Sequence, residues 1–266
     1  MKIATWNVNS VRSRLEQVSN WLQANPVEVL CLQETKVVDE SFPRSPFEEL
    51  GYHLYISGQK SYNGVAIFSK SPMEEVTSGF APVLGREAVE NGPYGDWDEQ
   101  KRVITGVAGG IRIVNLYVPN GASVKSEKYD YKLQWFQLLR SYLETVLEKT
   151  PDTCICGDFN VALEERDIYR KTKDSDIMAS PAERVALQSI LELGFADAFR
   201  KFVAEAGHFS WWDYRHGGFQ RDRGWRIDYH FLTPELSDRC TGCIIDKSTR
   251  GLEKPSDHAP VIVDFT

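Results

Sequence analysis

Short apolar runs of strand length recur along this chain, and each carries a polar side chain at its end. Asn7 follows Ile3-Ala4-Thr5-Trp6, and Glu34 comes just after Val29-Leu30-Cys31-Leu32. Tyr117 closes Ile111-Arg112-Ile113-Val114-Asn115-Leu116, and Asp158 and Asn160 follow Thr153-Cys154-Ile155-Cys156. Asp228 lies inside Trp225-Arg226-Ile227-Asp228-Tyr229, and Asp257-His258 opens the last run. Runs of this length, bounded by turn-forming residues, predict strands. Taken singly, each polar group reads as a strand-end cap. Asp228 resists that reading, because a carboxylate inside an apolar strand is costly unless paired.

Helical spacing interrupts the strands in a few places. Val11, Leu15, Val18 and Leu22 predict an amphipathic helix over residues 11–24, ended by Pro26. Residues 129–147 predict a long helix that buries Trp135, Leu138, Leu139, Tyr142, Leu143 and Val146, and residues 181–193 predict another that starts on a proline. Asn63-Gly64 and Gly109-Gly110 mark hairpin connections, and residues 79–98 read as an irregular loop rich in Gly, Pro and acidic residues. Strands with hairpins outnumber strict β-α-β alternation. That pattern predicts an α/β protein with antiparallel-rich sheets packed together and helices outside.

Without linker, repeat or low-complexity tract, the 266 residues are expected to form one domain over 1–266. No secretory signal opens the chain, and no apolar run approaches the ~20 residues needed to span a bilayer, so a cytoplasmic protein without membrane contact is expected. Cys31, Cys154 and Cys156 sit in apolar runs and read as core thiols. Cys240 and Cys243 form a lone C-x-x-C with no second pair, which reads as structural thiols rather than a zinc or redox centre. The net charge of -7 argues weakly against nucleic-acid binding by bulk charge, yet permits carboxylates gathered around a divalent metal.

In Gly157-Asp158-Phe159-Asn160 an acceptor and an amide stand two positions apart, on one face if the strand geometry persists. The plainer reading is a capped turn. Asp228 is suited to orient His258 and raise its basicity. No G-x-S-x-G elbow is present for a serine hydrolase. Glu34, Asp257 and Asn7 are oxygen donors suited to Mg²⁺ or Mn²⁺. A hard cation, a carboxylate and an imidazole fit in-line displacement at phosphorus.

Together these residues resemble the exonuclease III family of Mg²⁺-dependent apurinic/apyrimidinic endonucleases, within the endonuclease/exonuclease/phosphatase superfamily. The matching stretches include Thr5-Trp6-Asn7-Val8-Asn9, Leu32-Gln33-Glu34-Thr35-Lys36, Tyr62-Asn63-Gly64-Val65-Ala66, Asn115-Leu116-Tyr117-Val118-Pro119-Asn120-Gly121 and Gly157-Asp158-Phe159-Asn160-Val161-Ala162. Ser210-Trp211-Trp212-Asp213-Tyr214-Arg215, Gly224-Trp225-Arg226-Ile227-Asp228-Tyr229 and Lys254-Pro255-Ser256-Asp257-His258-Ala259-Pro260 follow in the family order. The resemblance implies a four-layered α/β sandwich, two mixed and mostly antiparallel sheets face to face with helices outside. It also implies a monomeric DNA repair nuclease that cuts 5′ to abasic sites in duplex DNA, with 3′-5′ exonuclease and 3′-end-cleaning activity on blocked ends.

The resemblance assigns roles as well. Glu34 is implied as the main metal ligand, with Asn7 and Asp257 assisting. Asp158 would prepare the attacking water, Asn160 would hold water or phosphate, Tyr117 would contact the scissile phosphate, and His258, oriented by Asp228, would stabilise charge. Whether Asp158 or His258 is the base stays open. Asn9, Lys36, Tyr62, Arg102, Asn120, Trp211, Trp212, Arg215 and Arg226 match DNA-contacting regions. Two rival readings are a superfamily relative acting on inositol phosphates, sphingomyelin or RNA, and a non-catalytic nucleic-acid-binding regulator. One departure stands out: residues 85–98 are longer and more acidic than the usual family loop, which is expected to weaken DNA binding or alter substrate preference.

Overall fold

In the computed structural model, which describes residues 1–90 and 92–266, the short apolar runs form two six-stranded sheets. The first contains β1 (Lys2–Asn7), β2 (Val29–Gln33), β3 (His53–Ser57), β4 (Val65–Ser69), β13 (Cys240–Ile245) and β14 (Val261–Phe265), in the order β13-β14-β1-β2-β4-β3. The second contains β5 (Glu74–Ser78), β6 (Val103–Ala108), β7 (Ile111–Tyr117), β8 (Thr153–Asp158), β9 (Ala196–Asp197) and β12 (Asp228–Leu232), in the order β5-β6-β7-β8-β12-β9. A ribbon of β10 (Trp211–Trp212) and β11 (Gly224–Trp225) stands apart. Each large sheet holds one parallel pair, β1/β2 and β7/β8, and is otherwise antiparallel.

Burial explains the layering. Ile3, Cys31, Ile67, Val261 and Val263 of the first sheet meet Ile104, Ile113, Cys154, Cys156 and Leu232 of the second in one apolar core. Outside the first sheet, Val18, Trp21 and Leu22 of α1 (Leu15–Ala24) and Phe47 of α2 (Ser45–Glu48) cover Trp6, Leu30 and Phe68. Outside the second, α3 (Ala81–Leu84), α4 (Arg86–Glu90), α5 (Glu127–Leu147) and α6 (Pro181–Leu191) cover Val114, Leu116, Ile155 and Phe231. Two short helices, α7 (Ala198–Phe202) and α8 (Pro234–Arg239), complete the main core with Ala198, Phe199 and Leu236. The four-layered sandwich is as expected, because strands apolar on both faces must be covered twice.

Caps set the helix starts. Ser126 accepts from Tyr129 N at the head of α5, and a reciprocal Ser180/Glu183 box with Pro181 opens α6. Four boundaries differ from the sequence expectation. Residues 11–14 form a turn rather than helix, because the Ser10 and Val11 amides donate to Glu34 O and Thr35 O and tie this loop to the one after β2. The run over residues 225–232 breaks after Trp225, where Arg226 N donates to Asp167 O instead of continuing a ladder. The last strand starts at Val261, not His258, which makes only an isolated bridge to Trp211. The acidic loop contains α3 and α4; Asn91 within it lies outside the described residues.

All five thiols are free and buried. Among the described residues, no helix is long and apolar enough to cross a membrane.

Candidate active site

Register brings the polar strand ends together. Asp158 lies opposite Tyr117 on one side and Asp228 on the other, while Asn7 lies opposite Gln33, next to Glu34. The close approach of β7 and β8 requires Gly157: its φ is +136°, and a Cβ there would overlap the Leu116 carbonyl oxygen. Asn7 spans the two sheets. Its Nδ2 donates to Glu34 Oε1 at 3.0 Å and to Asp158 Oδ2 at 2.9 Å. Asn9, Ser10, Glu34, Lys36 and Asn160 all adopt positive φ around this rim. Such a concentration of uncommon backbone conformation is typical of sites whose geometry the surroundings impose.

Asp158 and Asn160 meet through a turn, not through the strand pleat. β8 ends at Asp158, and Asn160 has φ +49°. Asn160 N donates to Asp158 Oδ1 at 2.9 Å, which is the capped turn. Asp158 Oδ2 faces the other way, toward Asn7, Asn160 Nδ2 at 3.2 Å and His258 Nε2 at 3.8 Å. One carboxylate oxygen therefore shapes the backbone and the other faces the site.

Both Nδ2 hydrogens of Asn160 are engaged within the protein. Nδ2 also donates to Val118 O, and Oδ1 accepts from Asn120 Nδ2. Beneath it, Lys132 is fully buried and donates to Asn120 O, Asn160 O and Glu183 Oε1. Lys132 was not legible as a site residue, although a lysine on the buried stripe of a helix, between Tyr129 and Trp135, is a usable signal.

Asp228, Asp158 and His258 are each at most 4% exposed. His258 Nδ1 lies 2.9 and 3.1 Å from the two Asp228 oxygens. Ser210, which sequence reading also missed, donates to Asp228 Oδ2 at 2.6 Å and accepts from the Ile227 and Asp228 amides. Burial works against charge on His258, but Asp228 and Asp158 outweigh it and push the imidazole up to about 10. Burial pushes Asp158 up to about 7, with Asp228 adding to the rise and His258 opposing it. The pair titrates as a unit. At neutral pH it holds an imidazolium facing a carboxylate poised to exchange a proton.

Glu34 is the most open of these carboxylates, with its side chain 19% exposed. Burial would raise it, but Lys36 and the Asn7 and Tyr117 hydrogen bonds hold it below the usual range, so it is ionised. Lys36 Nζ lies 2.8 Å from Glu34 Oε2 and also donates to Asn9 Oδ1; Asn9 Nδ2 in turn donates to Asp257 Oδ1. Asp257 Oδ2 accepts from Trp211 Nε1. Tyr117 donates to Glu34 Oε1 at 2.8 Å, and burial together with Glu34 raises its phenol well above the ordinary range, so it is a neutral donor. Asn7 turns its NH₂ toward both carboxylates, and its oxygen accepts from Asn9 N at 3.0 Å. The amide thus bridges Glu34 and Asp158 through its NH₂.

The nine residues expected at DNA separate by exposure. Tyr62 (71%), Asn120 and Arg215 are exposed; Asn9, Lys36, Arg102 and Trp211 are half-buried at the rim. Arg102 lies 4.6 Å over the Tyr117 ring. Arg215 is paired with Asp213 at 2.6 Å in solvent, a pairing worth little. Trp211 and Trp225 wall a cavity of about 460 Å³ with Met178 and Tyr169. Two expectations fail. Trp212 is fully buried, with its indole against Phe219 and its Nε1 donating to Asp222, so it is core. Arg226 is 1% exposed and pairs with Asp167 at 2.7 Å and Asp197 at 2.8 Å, so it is an internal tie rather than a phosphate contact.

The fold and this site define an α/β-sandwich hydrolase with its chemistry at one rim of two facing sheets. A model of the endonuclease/exonuclease/phosphatase family matches residues 4–258, and the chain belongs to that family. It is 34% identical to exodeoxyribonuclease III of Haemophilus influenzae, covering 100% of both chains. Among solved structures, it is similar to an AP endonuclease from Archaeoglobus fulgidus (41% identity, TM-score 0.90, covering 100% of this chain and 99% of that one). It is also similar to a 3′ phosphatase from Neisseria bound to a product DNA hairpin (38% identity, TM-score 0.92, covering 100% and 99%).

Proposed function

We propose that this protein is a DNA repair nuclease that hydrolyses the phosphodiester 5′ to abasic sites in duplex DNA and clears blocked 3′ ends, acting as a monomer with Mg²⁺. The observation that carries the reading is the Asn7 bridge, which holds an ionised Glu34 and a proton-exchanging Asp158 on opposite sides of one small polar space. Asp158 Oδ2 orients and deprotonates water. His258, held by Asp228, keeps a positive charge beside the phosphate oxygens as they gain charge. Tyr117, a neutral O–H donor, and Arg102 behind it face the same side. Asp158 is assigned as the base, because His258 enters already protonated.

The donor set fits a hard cation: Glu34 presents an ionised, partly open carboxylate, with Asp257 next along the rim. Mg²⁺ or Mn²⁺ bound there supplies Lewis-acid stabilisation of phosphate charge. Cleavage of a duplex carrying one abasic analogue should vanish in excess chelator and return with Mg²⁺. Glu34→Gln should raise the Mg²⁺ concentration for half-maximal rate at least about tenfold, the loss of ~1.4 kcal/mol in ion binding. Chelator-resistant cleavage contradicts the metal role, and undamaged duplex or single-stranded RNA cleaved equally well contradicts the substrate.

The pH dependence follows from the same pair. Activity needs Asp158 ionised and His258 protonated, so kcat/KM should rise through about 7 and fall through about 10. A cation at Glu34 moves the acid limb lower. Asp228→Asn removes an anion that raises both groups, so both limbs of the bell should shift to lower pH. A profile unchanged in that variant would show that Asp228 does not act through the pair.

A further inference from the structure

The acidic loop that departs from the family pattern builds part of a second cavity, which reaches Tyr117 and Arg102 but whose other lining residues have no role in the chemistry above. It measures about 640 Å³ and is lined by Tyr62, Tyr94, Tyr131, Gln59, Gln100, Lys128 and Glu127, together with Tyr117 and Arg102. Asn120 and Ala122 border both this cavity and the one walled by Trp211, so the two flank a single ridge beside the active site.

The wall is assembled from aromatic rings. Trp97, 5% exposed, stacks on Tyr131 with ring centroids 4.8 Å apart and planes 20° apart. Tyr94 meets both rings edge-on, at 5.7 Å from Trp97 and 5.3 Å from Tyr131. The loop's carboxylates do not face the cavity as a repulsive cluster: Asp98 accepts from the Phe80 and Ala81 amides, and Asp96 accepts from Asp98 N. Gly79, with φ +80°, leaves the space that Asp98 fills. The acidic residues Asp96 and Asp98 thus fasten the loop so that Tyr94 lines the cavity beside Tyr131 of α5.

We propose that this cavity is a nucleobase subsite: it takes the base of the substrate nucleotide next to the scissile phosphate, on the Tyr117 side. The inference rests on the nuclease reading. Aromatic walls with amide groups and the charged Lys128 and Glu127 among the lining suit a planar heterocycle with polar edges, and the volume admits a nucleotide. Stacking one base on such rings contributes ~1–3 kcal/mol and tolerates any sequence. A base enters only after leaving the duplex stack, which costs least at a strand end. The subsite therefore favours frayed 3′ ends over internal positions.

A double-mutant cycle tests this. Substrates with a 3′-terminal block carry a base-less residue placed in turn at each nucleotide flanking the scissile phosphate, and kcat/KM is measured for the wild type, Tyr94→Ala and Tyr94→Phe. Tyr94→Ala should lower kcat/KM about tenfold on the fully based substrate and have no further effect once the partner base is missing. Tyr94→Phe should behave as wild type. Losses that add independently of the base at both positions overturn the proposal. Tyr62→Ala, exposed at the opposite side of the cavity, repeats the cycle without touching the Trp97 packing. A metal-restored abasic cleavage that is normal while the cycle shows no coupling would refute the subsite and leave the nuclease reading standing.

Discussion

Asp158→Asn lowers kcat by about 10²- to 10⁴-fold, the range associated with loss of a positioned general base, while affinity for a duplex with an abasic analogue changes less than about threefold, within ~0.7 kcal/mol. The substitution keeps the size and the Oδ1-type acceptor that closes the turn to Asn160 N. It removes the anion, so no group at this position takes a proton from water. Asn7 Nδ2 and Asn160 Nδ2 both donate to Asp158 Oδ2. An asparagine has a single acceptor oxygen, so with that oxygen on the turn its Nδ2 faces these two donors, and the Asn7 and Asn160 side-chain amides must reorient locally while the Asp228–His258 and Tyr117–Glu34 contacts stay in place. The anion's loss also lowers the His258 proton affinity, since Asp158 contributes to holding it high. Single-turnover cleavage alongside fluorescence anisotropy with labelled duplex separates the two quantities. Wild-type-like turnover would remove Asp158 from the chemistry; binding lost in proportion to rate would make it a structural residue.

Arg226→Ala destabilises the fold by about 3–5 kcal/mol, the penalty for breaking one side of a buried ion pair. Arg226 joins Asp167 in the loop after β8 to Asp197 of β9, and its guanidinium lies 4.5 Å from the Tyr229 ring. Asp167 is fully buried. Arg200 remains paired with it, which limits the damage at that end but not at Asp197. Urea unfolding gives the loss directly. Arg226→Lys recovers only part of it, because one ammonium cannot repeat a planar fork between two carboxylates. The alternative, a phosphate contact, predicts different data: stability within about 0.5 kcal/mol of wild type, with weaker DNA binding and a salt slope reduced by about one.

The contrast between Arg226 and Arg215 shows where sequence reading stops. Both sit among tryptophans in a basic, aromatic segment, and both matched DNA-contacting regions. Arg215 points into solvent beside the Trp211 cavity, and Arg226 is sealed between two carboxylates. Local sequence carries no record of that difference, because it depends on Asp167 and Asp197, far along the chain. The same holds for Lys132 under Asn160 and Ser210 against Asp228. The adjacent pair Trp211-Trp212 divides similarly: strand alternation faces one ring to the cavity and the other to Phe209 and Phe219.

Apolar runs of strand length, the turn residues between them and the amphipathic helices are local properties, so the α/β class, the two covered sheets and the polar strand ends were legible in the amino-acid sequence. The motif order carried the family. Tertiary structure decided which oxygen of Asp158 faces the site, that the Asn7 amide bridges two carboxylates, and that burial raises Asp158 while Asp228 and Asp158, against burial, keep His258 protonated. It also decided that the acidic loop presents Tyr94 to a cavity. These outcomes depend on desolvation and on hydrogen bonds between residues more than a hundred positions apart, and neither quantity exists until the two sheets close on each other.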